Sequence, residues 1–243
     1  MKLATGCIFY TKERRDFAVS HGFPPARAFV AQNTVCTDEV FQVKSQISEE
    51  TLSGFITEHR LEGKKILLYI GRLQRRKKPD LLLEVLPSIR EHIPNIHLTM
   101  IGHGEMEEPL RALIASKNLS EDVSMPGAIF EEESLAPYLL SASLVVMPSA
   151  AGLTIQHVFS YGLPVVLGDD MKSHGPEIEL IHDNTGRYFK ASDPESLADT
   201  VVALLQNEEK LASMKQDCLK LMEEQYTVDN MVKGFVEAVG EIG

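Results

Sequence analysis

Residues 66–79 read Ile66-Leu67-Leu68-Tyr69-Ile70-Gly71-Arg72-Leu73-Gln74-Arg75-Arg76-Lys77-Lys78-Pro79. Five apolar residues stand in a row, followed by a glycine, a basic run and a proline. The apolar run is too short for a buried helix and has no polar alternate positions. That is the pattern of a strand covered on both faces. Pro79 suits a first helical turn, where its missing N–H leaves no bond unmade. Leu81, Leu82, Val85, Leu86 and Ile89 then recur at helical spacing as far as about His92.

The unit repeats downstream. Strand Ile96–Ile101 ends in Gly102-His103-Gly104, and a helix follows to about Lys117. Strand Val123–Met125 ends in Pro126-Gly127, before a helix over about 131–142. Strand Leu144–Met147 runs into Pro148-Ser149-Ala150-Ala151-Gly152. A helix over about 153–161 stops at Gly162, with Pro164 just beyond. Strand Val165–Leu167 ends in Gly168-Asp169-Asp170, and strand Arg187–Phe189 precedes a helix over 194–206. Upstream, residues 3–10 read as a strand, 11–20 as a polar helix, Ala28–Ala31 as a strand and Glu49–Arg60 as a helix. Residues 32–47 have no clear period and read as a linker. The tail from Glu208 is helical and acidic, with a break around Thr227. Alternating strands and helices predict an α/β fold with a doubly wound, Rossmann-like parallel sheet. A helix bundle is excluded, because the strand runs are short, β-branched and bounded by Gly or Pro.

Composition sets further bounds. The 243 residues carry 24 Lys+Arg against 35 Asp+Glu, a net charge of −11. Such an acidic balance argues against a nucleic-acid partner, since phosphate contacts need a basic surface. With 44% hydrophobic and 24% charged residues, the chain is globular rather than disordered. No apolar run approaches a membrane span. Lys12, Glu13, Arg14 and Arg15 follow the short apolar start too closely for a signal peptide. Cys7, Cys36 and Cys218 are scattered and odd in number, with no metal spacing, which fits a reducing cytoplasm.

Ligands of doubly wound sheets bind beyond the carboxyl ends of the strands. Those ends hold Gly71, Gly102, Gly104, Gly127, Gly152 and Gly168, so backbone N–H groups are open to a phosphate or nucleotide. Arg72 directly follows a buried strand, and Lys77 directly precedes a helix. Both are candidates to hold a diphosphate, while Arg75, Arg76 and Lys78 read as a solvated run. Gly152, Leu153 and Thr154 open a helix whose free N–H groups attract anions, although Thr154 also reads as an ordinary cap. His157 lies in that helix's first turn, and His103 and His174 are weaker candidates at strand ends. Glu177, in Gly175-Pro176-Glu177, is placed to accept hydrogen bonds from a sugar. Asp169-Asp170 reads as a turn, because adjacent strand residues face opposite ways. No Ser–His–Asp set, P-loop or Gly-x-Gly-x-x-Gly fingerprint is present.

Gly71-Arg72-Leu73 with Lys77, Ile101-Gly102-His103-Gly104, Val123 with Gly127, Val145–Ser149, Tyr161–Val166, Gly175-Pro176-Glu177 and Asn184-Thr185-Gly186 occur in order. Together they resemble the nucleotide-sugar-binding domain of GT-B glycosyltransferases, in the retaining family 4-like group (group 1). The strong part covers 64–206. The resemblance implies the C-terminal half of a GT-B architecture. Residues 1–46 would be a remnant of an N-terminal Rossmann-like domain plus linker, 47–206 the donor-binding domain, and 207–243 a helical tail. It also implies transfer of a sugar from a nucleoside-diphosphate donor to an acceptor glycan or lipid-linked saccharide, in surface polysaccharide synthesis. No metal or cofactor is implied. Arg72, Lys77 and Glu177 would be catalytic. Gly71, Gly102, Gly104, Gly127, Ile129, Gly152, Leu153, Thr154 and His157 would line the nucleotide. The setting implied is the cytoplasm, with a peripheral seat at the membrane as a variant.

One departure stands out. The family's Glu-x7-Glu pattern falls here on Ser149 and His157, which points to a divergent bacterial subgroup. Two rival readings follow. One is a non-catalytic nucleotide-sugar-binding module that works with a separate N-terminal domain. The other is a sugar-nucleotide epimerase of the same architecture, with His103, His157, His174 and Glu177 recruited for acid–base work.

Overall fold

The computed structural model describes residues 4–242. Met1, Lys2 and Leu3 lie outside them; of the strand expected over 3–10, only Cys7–Phe9 forms among the described residues. The leading unit is β1 (Cys7–Phe9), α1 (Lys12–Ser20) and β2 (Ala28–Val30), with β1 and β2 paired in parallel. Thr11 caps α1 by accepting from the Arg14 N–H.

Residues 32–47 are not a plain linker. They contain α2 (Thr37–Gln46), which packs on two later helices through buried Val40 and Val43. Next come α3 (Glu49–Glu58), β3 (Lys65–Ile70), α4 (Asp80–His92), β4 (Ile96–Ile101), α5 (Glu107–Ser116) and β5 (Val123–Gly127). The chain continues through α6 (Glu132–Ser141), β6 (Leu144–Met147), α7 (Thr154–Ser160), β7 (Val165–Gly168), β8 (Gly186–Phe189) and α8 (Pro194–Gln206). The tail is α9 (Glu208–Glu224) and α10 (Val228–Ile242), broken at Thr227 as expected.

The main sheet has six parallel strands in the order β5-β4-β3-β6-β7-β8. Side chains alternate across it with period two. Leu67, Tyr69, Leu144 and Val146 enter a core roofed by α4, α5 and α8. Ile66, Leu68, Val145 and Met147 enter the opposite core, roofed by α2, α6 and α7. None of these eight exceeds 4% exposure. Full burial of such a side chain stabilises by about 1.5–3 kcal/mol, which is why these runs settle as two-faced strands.

α7 ends as its sequence predicts. Gly162 takes φ +73°, its N–H bonds the Phe159 carbonyl at 2.8 Å, and the Leu163 N–H bonds the Val158 carbonyl at 3.0 Å. The winding reverses between β3 and β6. From β3 the chain builds outward to β4 and β5, and from β6 it builds the other way to β7 and β8. In sheets of this kind ligands bind in the crevice beyond the carboxyl ends at such a reversal, here β3 and β6.

Candidate active site

Two loops face each other across that crevice. After β3 comes Gly71-Arg72-Leu73-Gln74, then a single 3₁₀ turn over Arg75–Lys77. After β6 comes Pro148 to Leu153, leading into α7. Lys77 joins them, because its Nζ donates to the Ala150 carbonyl at 2.7 Å. Burial, with Arg76 and Arg72 beside it, lowers the Lys77 pKa below the ordinary lysine value. An anion arriving in the crevice relieves that unfavourable positive field. Arg72 stands exposed at the lip, and its side chain has no partner among the described residues. Two other cations of the run already have partners. Arg76 donates to Gln74 Oε1 at 3.1 Å, and Lys78 donates to Ser192 at 2.5 Å.

Ala150 itself has φ +52°, a left-handed conformation that a non-glycine residue adopts only when its surroundings impose it. Its carbonyl is thereby turned toward Lys77. Beyond it, the N–H groups of Gly152, Leu153 and Thr154 take no backbone partner. Thr154 is not the cap expected of it. Leu153 holds that position and offers no side-chain bond, so these donors stay open. α7 has only seven residues, so its dipole is small and the local amides matter more.

Glu177 lies beside the loop after β6. It lies in the 3₁₀ turn Pro176–Leu180 and is 6% exposed. A methyl group placed on Gly152 would lie 3.9 Å from Glu177 Oε2, and one placed on Gly175 would lie 2.3 Å from it. Position 175 therefore has to be glycine for the carboxylate to sit there. Gly71 is equally close to the cation, since a methyl group there would lie 3.8 Å from Lys77 Nζ. Gly71, Lys77, Gly152 and Glu177 thus converge on one crevice, from three segments far apart in sequence.

The remaining candidates divide. Gly102 and Gly104 are already demanded by packing at the strand ends. A β-carbon would fall 1.9 Å from the Gly71 carbonyl oxygen at Gly102, and 2.4 Å from that of Leu73 at Gly104. Gly127 lies at φ +91° at the end of β5, and Ile129 packs half-buried against the α6–α7 core. His174 braces the loop, accepting from the Ala151 N–H at 3.1 Å and donating to the Gly168 carbonyl at 2.8 Å. Its two bonds fix a neutral tautomer, and burial lowers its pKa. His103 is exposed; its carbonyl accepts from the Leu73 N–H of the β3 loop at 3.0 Å, while its ring pairs with Glu107 at 2.6 Å. Asp169 serves the turn after β7, accepting from the Ala191 N–H at 2.8 Å. Among the described residues, no three His, Cys, Asp or Glu side chains gather as a metal site.

His157 has a carboxylate partner that sequence spacing does not reveal. Its Nε2 lies 2.9 and 3.0 Å from the two oxygens of Glu132, and the Tyr161 hydroxyl donates to the same carboxylate at 2.5 Å. Gln156, 1% exposed, is a second residue missed from sequence. It accepts from the Val35 N–H at 3.2 Å and donates to the Asn33 carbonyl at 2.7 Å, tying the leading segment to α7.

Comparison with known proteins gives the family and the fold. Residues 55–220 match the family model described as glycosyl transferases group 1. A GDP-mannose-dependent alpha-(1-6)-phosphatidylinositol monomannoside mannosyltransferase of Mycobacterium tuberculosis is 26% identical over 166 residues, covering 64% of this chain and 42% of that protein. An uncharacterized glycosyltransferase of Haemophilus influenzae is 27% identical over 200 residues, covering 80% of this chain and 55% of that one. The chain thus spans about half the length of these curated relatives. Among solved structures, Anabaena HepE in complex with UDP superposes with a TM-score of 0.79 at 16% identity, over 98% of this chain and 64% of that one, a likeness of fold. Since the family model spans more than half of its length, the chain belongs to the glycosyl transferases group 1 family.

Proposed function

We propose that this chain is the donor-binding half of a GT-B glycosyltransferase, with a nucleoside-diphosphate sugar seated in the β3–β6 crevice. The observation that carries the reading is the Lys77–Ala150 bridge across the point where the sheet reverses, with Glu177 beside Gly152, which lies in the same loop as Ala150. Arg72 and Lys77 hold the diphosphate. The open N–H groups of Gly152–Thr154 add donors, and His157 meets the ribose. Glu177 receives hydroxyls of the sugar. In transfer, the bond from the sugar's anomeric carbon to the diphosphate oxygen breaks and a bond to the acceptor oxygen forms. The acceptor's proton leaves with the nucleoside diphosphate. Negative charge grows on that leaving group; Lys77, already held at the Ala150 carbonyl, and the free Arg72 side chain supply the cations that stabilise it. They take the role a metal plays elsewhere, so turnover should survive EDTA.

The division into a leading remnant over 1–46, a donor domain over 47–206 and a tail over 207–243 belongs to the same proposal. A cavity of about 640 Å³ beside Pro176, lined by Phe9, Tyr10, Phe17 and Phe23, supports it. Its apolar rim suits a docked N-terminal domain that brings the acceptor glycan or lipid-linked saccharide. The unsealed leading unit also favours a second reading, in which the chain alone binds the donor without turning it over. No helix of the described residues is long and apolar enough to cross a membrane. We place the reaction in the cytoplasm, at the membrane surface when the acceptor is a lipid.

Calorimetry with UDP and GDP tests the proposal. An Arg72→Ala, Lys77→Ala double variant should lose at least about 100-fold in affinity, since each charged hydrogen bond is worth about 1.5–3 kcal/mol. Unchanged binding would overturn the assignment.

A further inference from the structure

His157 replaces a carboxylate in the family pattern, yet a carboxylate still stands beside it. It comes from another helix. α6 descends from β5 on one wing of the sheet and α7 from β6 on the other, and both roof the same face. Glu132 opens α6, His157 lies one turn into α7, and Tyr161 follows its last residue. The side chains of Glu132 and His157 are 16% and 18% exposed, and Tyr161 is 6% exposed. Burial alone would raise the Glu132 pKa, but the bonds from His157 and Tyr161 outweigh it and hold the group below its ordinary value. Tyr161, its own ionisation suppressed by burial and by Glu132, can only be the donor.

The geometry dictates a tautomer. An ionised carboxylate only accepts, so the nitrogen facing it must carry hydrogen. That nitrogen is Nε2. In the neutral imidazole, Nδ1 is then left as a bare acceptor. It has no protein partner among the described residues, and it is not sealed from solvent. A mere helix-to-helix tie would not need an open acceptor, and it would not need the carboxylate to be held by a second donor.

We propose that Glu132 is a positioning residue for donor recognition: it locks His157 as the Nε2–H tautomer, so that Nδ1 accepts a hydrogen bond from a ribose hydroxyl of the bound nucleotide. This rests on the donor-binding reading above. Glu132 acts through His157 and touches no ligand, while Tyr161 keeps the carboxylate in register.

The test has two readouts. Nitrogen-15 NMR of histidine-labelled protein should show His157 protonated at Nε2 alone, without any ligand. An Nδ1–H tautomer would overturn the proposal. Calorimetry then compares UDP and GDP with their 2′,3′-dideoxy forms. Wild type should favour the ribose form by about tenfold, the value of one hydrogen bond. Glu132→Ala should remove that preference while leaving the dideoxy affinity in place, and Glu132→Gln, which still offers an oxygen, should restore part of it. If Glu132→Ala does not fold, Glu132→Gln carries the test alone, with a ribose preference below the wild-type value; an unchanged preference would overturn the proposal. Equal weakening of both nucleotide forms would mean a purely structural role and overturn the inference. Wild type that binds nucleotides without preferring ribose would sink this inference alone. Wild type that binds neither UDP nor GDP would sink the donor reading, and this inference with it.

Discussion

The six-stranded sheet and the β1–β2 pair are both parallel, and both are made by strand–helix–strand winding, yet they differ in what covers them. Every residue of β6 and β7 is buried, and each face of the large sheet has its own core. The pair closes only a small cluster around Ala18, Phe23 and Ala28. Tyr10 is 57% exposed and Phe17 60%. α10 backs the pair so closely that a β-carbon on Gly234 would fall 2.3 Å from the Val30 carbonyl oxygen, yet its Val236 and Val239 stand open. The large sheet is thus sealed on both faces by helices of the chain. The pair leaves apolar side chains open, and the crevice at Lys77 belongs to the sealed unit.

The largest effect should come from the sealed core. Leu68→Ala should lower the unfolding free energy by about 3 kcal/mol in urea titration, whereas Phe17→Ser should change it by less than about 0.5 kcal/mol. A comparable cost at Phe17 would break the contrast. Next comes the join between the regions. Gln156→Ala leaves two backbone partners unpaired and should cost about 1–3 kcal/mol. Amide exchange should quicken at residues 33–35 while the β3–β6 core stays protected.

Two pH effects sharpen the contrast further. The Lys77 pKa lies below the ordinary lysine value, and a diphosphate prefers the protonated form. Nucleotide affinity should therefore fall as pH rises through that lowered value, and Lys77→Arg should remove the loss. The smallest effect is at Glu132, whose folded pKa lies below its ordinary 4.5. Its contribution to stability is complete above about 4.5 and is lost as pH falls through the folded value. Glu132→Gln should flatten that acid limb.

The main sheet was legible because its strands are unbroken apolar runs punctuated by Gly and Pro. α2 was not. Its inward stripe, Thr37, Val40 and Val43, is narrow, and Cys36 before it makes no side-chain cap. Phe41, only partly buried, blurs the helical period further. At the site, Arg72 and Lys77 were legible because a basic run stands out in an acidic chain at the end of a buried strand. Glu132 was not, because it is the middle of three consecutive glutamates. Only the phase of α6 decides that Glu132 turns inward while Glu131 and Glu133 stay exposed. The left-handed Ala150 was equally hidden, since nothing in Ser149-Ala150-Ala151 marks it. Contacts between helices from opposite wings of a sheet exist only once the sheet has formed.

The central claim is that nucleotide binds at the reversal point of the sealed sheet and not in the apolar hollow beside β1. Amide chemical-shift mapping during titration with UDP and GDP tests it most directly. Shifts should concentrate at residues 71–77 and 150–154, with β1, α1 and β2 unmoved. Shifts confined to residues 8–27, with Gly71, Lys77 and Gly152 silent, would contradict it.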